Sequence, residues 1–180
     1  MTIPNLISTL RIILVPIFVI YLLNDDSLSA LVVFILAGLS DGADGLIARL
    51  FNQKSKLGTY LDPLADKILL VAAYLVLAAK DLVPPWLTVI VITRDVLILL
   101  GVLILFLNKE DFKISPSILS KLTTCFQLGT VFLALAENYV PVFSQFIHIL
   151  FLATGFLTIA SGLHYIRSWF LMVGEESVGD

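Results

Sequence analysis

Long apolar runs separated by short polar segments form the main pattern of this chain. Each run is close to the roughly 20 residues that an α-helix needs to cross the hydrocarbon core of a bilayer. Polar residues, proline and glycine occupy the breaks between runs, as expected at helix ends. The pattern predicts an all-α integral membrane protein, a bundle of about six transmembrane helices in a single domain over residues 1–180. The predicted helices are approximately 5–24, 28–51, 59–80, 84–107, 116–137 and 142–168.

The composition excludes an ordinary soluble domain. Hydrophobic residues make up 59% of the chain and charged residues 14%, with a mean hydropathy of +1.02. Soluble domains carry about 25% charged residues. The polar breaks are too short for a sizeable domain outside the membrane, so we expect any chemistry inside the bundle or at its surface. The net charge of −3 indicates no particular partner. We expect membrane lipids around the protein and no nucleic acid.

The first apolar run, IPNLISTLRIILVPIFVIYLL, has some features of a signal peptide. Arg11 interrupts it and no small-residue cleavage site follows, so a retained first membrane helix is the better interpretation. The lone Cys125 allows no intrachain disulfide bond. We predict that Cys125 is a small apolar packing residue.

Basic residues in the loops predict the orientation of the bundle, because Lys and Arg are enriched on the cytoplasmic side. The loops at 52–58 and 108–116 contain two lysines each, whereas the opposite loops contain only Lys80 among several acidic residues. We therefore predict a multi-pass protein of the cell (inner) membrane. Both termini and a polar cavity are expected to face the cytoplasm.

Four aspartates gather between the second and third runs, in the segment DGADGLIARLFNQKSKLGTYLDPLADK. Asp41 and Asp44 are spaced i, i+3 on the second predicted helix. Asp62 and Asp66 are spaced i, i+4 on the third, so each pair shares one helix face. The short connector makes the two helices antiparallel neighbours. A carboxylate inside a predicted membrane helix is not expected to face lipid. The two acidic faces are therefore predicted to meet in a cavity on the cytoplasmic side.

Carboxylates gathered in this way repel one another and cannot all stay ionised without a compensating charge. Divalent cations supply that charge, and all-oxygen ligation favours Mg²⁺ or Mn²⁺. Two such ions, about 3.5–4 Å apart, typically handle a phosphate group. Helix-end capping is the alternative for the acids, strongest for Asp62. Small residues nearby leave room for a bulky ligand, or else serve close helix packing. They are Gly42, Gly45, Ala48 and Gly58.

One spaced motif resembles the signature of the CDP-alcohol phosphatidyltransferase family at every defined position. It reads Asp41-x-x-Asp44-Gly45-x-x-Ala48-Arg49, then after eight residues Gly58-x-x-x-Asp62-x-x-x-Asp66. The resemblance extends through PNLISTLRI, LDPLADK and TIASGLHY. It implies transfer of a phosphatidyl group from CDP-diacylglycerol to an alcohol, with release of CMP.

The resemblance also implies roles for individual residues. The implied metal ligands, for two ions of Mg²⁺ or Mn²⁺, are Asp41, Asp44, Asp62 and Asp66. Asp66 is implied to be the general base that takes the proton of the acceptor hydroxyl. The implied CDP-diacylglycerol site contains Asp41, Asp44, Gly45, Ala48, Arg49 and Gly58. Within that site Arg49 is a partner for the diphosphate.

Charged residues further along the chain predict a pocket for the acceptor. Arg94 and Asp95 fall about midway along the fourth predicted helix, where ionised residues are rare and usually functional. With Lys67 and Lys121 they predict a basic pocket for an acceptor phosphate. The alternative is a local Arg94–Asp95 pair, with the lysines reaching toward the membrane interface.

Other polar residues carry weaker expectations. Thr9 and Arg11 on the first predicted helix are placed near the same cavity, although Arg11 also suits anchoring of lipid headgroups. His148 and His164 lack a metal-ligand spacing and are interpreted as packing or interface residues.

The acceptor has two candidates within the family. The segments near the two ends of the chain resemble bacterial phosphatidylglycerophosphate synthases, which favours sn-glycerol-3-phosphate as acceptor. The Arg94–Asp95 pair and the following SKLTT resemble cardiolipin synthases of the CDP-alcohol type, which use phosphatidylglycerol. We predict glycerol-3-phosphate, with phosphatidylglycerol as the alternative.

Two other classes of protein are alternatives to a transferase. Ion or proton transporters also place acids inside membranes, but they usually show internal repeats and helices broken at the midplane, which this sequence lacks. A passive scaffold gains nothing from convergent carboxylates. A homodimer is suggested by analogy with the family alone.

Overall fold

The computed structural model describes residues 3–50, 56–107, 117–137 and 139–176. Side chains are described at 9–40, 67–101 and 117–167, except for those at 138, 141 and 144. Within these ranges the secondary structure is helical throughout, with no strand. The helices are α1 (Ile3–Leu23), α2 (Ser27–Leu50), α3 (Lys56–Ala79), α4 (Pro85–Leu107), α5 (Ile118–Ala136) and α6 (Ser144–Glu176), with a short 3₁₀ turn at Pro141–Phe143.

The predicted all-α fold is confirmed, and each predicted helix has a counterpart. Most ends agree within two residues, and two differ by three or more. α3 begins at Lys56 rather than residue 59, because Gly58 was interpreted as a break although a helix tolerates an interior glycine at modest cost. α6 continues to Glu176 rather than 168, since no proline stops it after the apolar run.

The helices divide into two compact units. The first contains residues 1–83 and 131–145, and the second contains 84–130 and 146–180. In the first unit α1 packs against both α2 and α3. Its core is apolar, with Phe18 tilted against Phe34 at a centroid distance of 6.0 Å. The other members of this core include Val15, Leu22, Val33, Leu70, Tyr74 and Leu77.

The turns after α1 and α3 have the same construction. Asp25 and Asp81 adopt left-handed φ values of 61° and 58°, a conformation in which aspartate is enriched among non-glycine residues. Backbone N–H groups one residue later reach back to the carbonyls of Tyr21 and Leu77, at 3.0 and 2.9 Å. This pattern caps the helix C-terminus. Lys80 donates to the Leu23 carbonyl at 3.1 Å and pairs with Asp25, so both turns lie at the same end of the first unit.

The start of α2 is capped by Asp26. Its Oδ1 accepts a hydrogen bond from the backbone N–H of Ser29 at 3.0 Å, the arrangement expected of an aspartate N-cap. The hydroxyl and the N–H of Ser29 both stabilise the ionised form and hold the pKa of the Asp26 carboxyl below its ordinary value.

The second unit brings α4, α5 and α6 together through small residues and hydroxyls. A Cβ added to Gly155 would lie 2.7 Å from Cζ3 of Trp86, so the ring of this α4 residue packs directly on α6 at the glycine. A Cβ on Gly101 would lie 2.4 Å from the Tyr165 hydroxyl, which donates to the Ile98 carbonyl at 3.4 Å. Small residues at such contacts are typical of helix packing in membranes.

Two helical segments of the described chain are long and apolar enough to cross a membrane. They are Ile118–Ala136, with 19 residues, and Gln145–Arg167, with 23 residues. This assignment rests on length and composition. The six-span bundle and its cavity remain predictions.

Candidate active site and a buried arginine centre

The backbone of the first unit presents the aspartate motif on two helices. The positions from Asp41 to Arg49 belong to α2, and those from Gly58 to Asp66 belong to α3. The helical backbone therefore provides the spacing on which the predicted pairing of the acids depends. The side chains of these positions lie outside the described residues, so the predicted ligand and substrate roles of the motif stay predictions.

The donor set of the motif fits a divalent cation. The motif contains four carboxylates on two helices that both contact α1, and carboxylates are the hard oxygen ligands that Mg²⁺ and Mn²⁺ prefer. Among the side chains that the structure describes, no group of three or more His, Cys, Asp or Glu residues is placed to hold a metal ion. The motif is therefore the candidate site to test for metal binding.

Two basic residues of the first unit are drawn into its interior. Arg11 on α1 is 1% exposed and is one of the largest fully buried side chains described. Lys67 on α3 is half-buried with its Nζ inaccessible, and it follows Asp66 directly in the chain. Both side chains, like that of the exposed Thr9, interact with other groups. Burial of Arg11 argues against the alternative that it anchors lipid headgroups at the surface.

Arg94 is the polar centre of the second unit. This α4 residue is 4% exposed, and its guanidinium contacts all three helices of the unit. Nη1 donates to Oδ1 of Asp95 at 2.9 Å. Nη2 donates to Oγ of Ser120 on α5 at 2.6 Å and to Oγ of Ser161 on α6 at 2.8 Å. The local Arg94–Asp95 pair, which was the alternative to an acceptor pocket, is thus present, and it is joined by two serines.

The Arg94–Asp95 pair is buried on both sides, with side-chain exposures of 4% and 2%. Burying two opposite charges is costly unless they are paired and hydrogen-bonded, and removing one partner typically costs about 3–5 kcal/mol. The two serines reduce this cost by accepting hydrogen bonds without adding charge. The buried Nε of Arg94 has no hydrogen-bond partner among the described residues.

Further hydrogen bonds of hydroxyl and amide groups join α5 and α6. Oγ1 of Thr123 donates to the Leu157 carbonyl at 3.1 Å. Nε2 of Gln127 donates to Thr158 at 3.2 Å. One turn further, the hydroxyls of Thr130 and Thr154 share a hydrogen bond of 2.8 Å. These hydrogen bonds fix the rotation of the two helices relative to each other. Such contacts are important in a membrane because lipid provides little hydrophobic drive for helix packing.

A groove of about 240 Å³ lies between α4 and α6 beside Arg94. Its walls are apolar apart from Thr93, Arg94 and Thr158. Gly162 forms part of the wall, and a Cβ there would lie 3.6 Å from Cγ of Arg94, an ordinary contact distance. The stem of Arg94 therefore borders the groove while its guanidinium is held among the three helices.

The remaining predicted residues lie at the surface of the second unit. Lys121 is exposed, next to Ser120 in the chain. His164 is exposed, and His148 is exposed with its ring edge-on to Phe151 at 6.2 Å. Cys125 is exposed on α5, so the prediction that it packs as an apolar residue is wrong. Position 125 does not belong to the face formed by the polar residues at 120, 123, 127 and 130.

Sequence reasoning missed the serine partners of Arg94. A signal for them exists in the spacing of polar residues along the two apolar helices. They include positions 120, 123, 127 and 130 on α5 and positions 154, 158 and 161 on α6. Steps of three and four residues place each set on one helix face. Two such stripes in membrane helices indicate faces that pair with each other.

Comparison with known proteins decides the family. The family described as CDP-alcohol phosphatidyltransferase matches residues 1–172. The chain belongs to this family. Membership agrees with the signature carried by α2 and α3.

Similar proteins include two kinds of enzyme. The chain is 41% identical over 184 residues to the cardiolipin synthase (CMP-forming) of Rattus norvegicus, covering 91% of this chain and 60% of that protein. The Homo sapiens protein of the same name is 40% identical with the same shares covered. The chain is also 32% identical over 180 residues to the CDP-diacylglycerol–glycerol-3-phosphate 3-phosphatidyltransferase of Aquifex aeolicus, covering 98% and 100%. It thus spans 60% of the length of the two mammalian relatives.

Proposed function

We propose that this protein transfers the phosphatidyl group of CDP-diacylglycerol to the hydroxyl of a glycerol-type acceptor at the membrane, releasing CMP. The observation that carries this proposal is the complete family signature on two helices, in a chain that matches the family over residues 1–172. The rival transporter function receives no support from either observation.

In the proposed reaction Asp66 takes the proton of the acceptor hydroxyl. The acceptor oxygen then bonds to the phosphorus of the phosphatidyl group, and the bond from that phosphorus to the CMP oxygen breaks. Arg49 binds the diphosphate through charge-assisted hydrogen bonds. The small residues Gly45, Ala48 and Gly58 leave room for the nucleotide beside the helix backbones.

Divalent metal ions complete the proposed site. Enzymes of this family generally use them, and we assign two ions of Mg²⁺ or Mn²⁺ to Asp41, Asp44, Asp62 and Asp66. When bound, the ions would neutralise the carboxylates and stabilise negative charge on the diphosphate.

For the acceptor we assign a phosphate site to Arg94, with Lys67 and Lys121 as further basic residues. Phosphatidylglycerol is the first acceptor to test. The Arg94–Asp95 sequence and the identities of 41% and 40% to cardiolipin synthases support it. Glycerol-3-phosphate, the acceptor predicted from the sequence, is the second candidate, supported by a bacterial relative that the chain covers over its full length.

The proposal includes a location and an assembly. We place the protein in the cell membrane as a six-span bundle, with a polar cavity and both termini on the cytoplasmic side. The basic loops predicted from the sequence support this orientation. A homodimer remains a proposal by analogy with the family.

The experiment uses purified protein in detergent with CDP-diacylglycerol and Mg²⁺. Phosphatidylglycerol and glycerol-3-phosphate are offered separately, and CMP and the lipid product are quantified. Product with phosphatidylglycerol alone supports cardiolipin synthesis, whereas product with glycerol-3-phosphate supports phosphatidylglycerophosphate synthesis. Absence of CMP with both acceptors, in folded protein, contradicts the proposed function.

A further inference from the structure

Arg94 makes more hydrogen bonds than are needed to neutralise its charge. Asp95 alone neutralises the guanidinium at 2.9 Å. The two serines add hydrogen bonds of 2.6 and 2.8 Å to a single nitrogen, Nη2, from two different helices. The long arginine side chain has many rotamers, and these contacts restrict it to one of them at a cost in conformational entropy. The result is a guanidinium whose plane is fixed by α4, α5 and α6 together.

The donors of this guanidinium are only partly used. An arginine has five N–H donors, and the described contacts occupy one on Nη1 and two on Nη2. The Nε donor is buried without a hydrogen-bond partner among the described residues. An unsatisfied buried donor is costly, so a group of this kind needs an explanation. An anionic oxygen of a ligand would satisfy it.

We propose that Ser120 and Ser161 are positioning residues, which orient Arg94 so that its remaining N–H donors bind the phosphate of the acceptor. This inference rests on the proposed function and assigns to it two residues that the family signature does not include. Serine suits the task because its hydroxyl accepts a hydrogen bond and brings no negative charge. A carboxylate at either position would further neutralise Arg94 and repel the phosphate.

The test compares Ser120→Ala, Ser161→Ala and the double variant with the wild type, using whichever acceptor the wild type accepts. Each single variant is expected to raise the KM for the acceptor about tenfold, the value of one charge-assisted hydrogen bond. The kcat and the KM for CDP-diacylglycerol should stay nearly unchanged. Ser120→Thr, which keeps a hydroxyl at a half-buried position, should restore most of the acceptor affinity.

Thr154→Val is the matched control. It removes a buried hydroxyl from α6 seven residues before Ser161, on the same helix face, where the hydroxyl contacts Thr130 and not Arg94. A purely structural role of the serines predicts that this variant and Ser161→Ala lose stability alike and leave the acceptor KM alone. An unchanged acceptor KM in active Ser120→Ala and Ser161→Ala overturns the proposal.

A further variant tests the proposal even if the alanine variants do not fold. Arg94→Lys keeps the charge opposite Asp95 but cannot donate to both serines in the same fixed geometry. It should raise the acceptor KM by at least as much as either serine variant, and a wild-type KM would overturn the proposal. Failure of the wild type with every acceptor contradicts the proposed function instead, so the two failures are distinguishable.

Discussion

The two units of the protein bury different kinds of side chain. In the first, the described core of α1, α2 and α3 is apolar apart from Arg11. In the second, α4, α5 and α6 bury every other polar residue of the described core, including Arg94, Asp95 and Gln127. The first unit nevertheless contains the family signature, whereas the second contains none of it. Most of the described hydrogen bonds of these polar side chains join residues of the second unit to one another.

This difference indicates two ways of building a site in a membrane helix bundle. The signature of the first unit lies on adjacent turns of α2 and α3, so its chemistry is evident from spacing along one stretch of sequence. The arginine centre of the second unit takes one partner from each of three helices. Asp95 is adjacent to Arg94 in the chain, but Ser120 and Ser161 lie 26 and 67 positions away, and only the packing of the helices brings them to Arg94.

The largest effect is expected from Asp66→Asn in the first unit. Loss of a general base typically lowers turnover by about 10²–10⁴-fold, while the amide keeps the shape of the side chain. CMP release should fall to background, and nucleotide binding and thermal stability should remain. Asp81→Asn makes the same chemical change at an exposed turn with φ of 58°, which asparagine also adopts. Full turnover in Asp66→Asn would show that Asp66 is not the general base.

The second prediction distinguishes the effect of the buried Arg94–Asp95 charges on stability from the role of Arg94 in acceptor binding. Arg94→Ala leaves Asp95 buried without its partner and should lower the free energy of unfolding by about 3–5 kcal/mol. The double variant Arg94→Leu/Asp95→Leu removes both charges and should recover most of that loss, as measured by denaturation in detergent. Acceptor binding should not recover. A double variant as unstable as Arg94→Ala would show that the pair itself stabilises the unit.

The third prediction concerns the glycine contact between α4 and α6. Gly155→Ala places a Cβ 2.7 Å from the Trp86 ring and should destabilise the protein by about 1–3 kcal/mol, because the ring has to shift. Gly129→Ala is the control, since nothing lies within 4 Å of its added Cβ. It should be neutral or stabilising by up to about 1 kcal/mol, because alanine is the better helix former. Equal effects in both variants would contradict the close packing at Gly155.

The smallest effect is expected at the N-cap of α2 in the first unit. The folded pKa of Asp26 lies below its ordinary value of 3.8, so the ionised carboxylate favours folding at neutral pH. This contribution is lost as the pH falls through the folded pKa. The thermal stability lost in Asp26→Ala should therefore be largest near neutral pH and shrink below about pH 4. Ser29→Ala, which removes one donor, should show a weaker form of the same dependence. A difference that grows on acidification would contradict the capping role.

The sequence predicted the all-helical fold, whereas the roles of the aspartate motif stay predictions. Helix positions followed from apolar length, since a membrane span needs a run of roughly 20 residues. The aspartate motif followed from its spacing. The Arg94–Asp95 pair was foreseen, but its serine partners were not, because serine is common in membrane helices and its neighbours depend on helix rotation. The exposure of Cys125 was mispredicted for the same reason.

The central claim is phosphatidyl transfer, and the most direct measurement is its stoichiometry. Labelled CDP-diacylglycerol is supplied to purified protein with and without Mg²⁺, and with and without a glycerol-type acceptor. The account predicts that CMP and the new phospholipid form one for one, only when both metal and acceptor are present, and that the Asp66→Asn variant forms neither. CMP that forms without a lipid product would indicate a hydrolase. No CMP under any condition, in protein shown to be folded, would contradict the assignment.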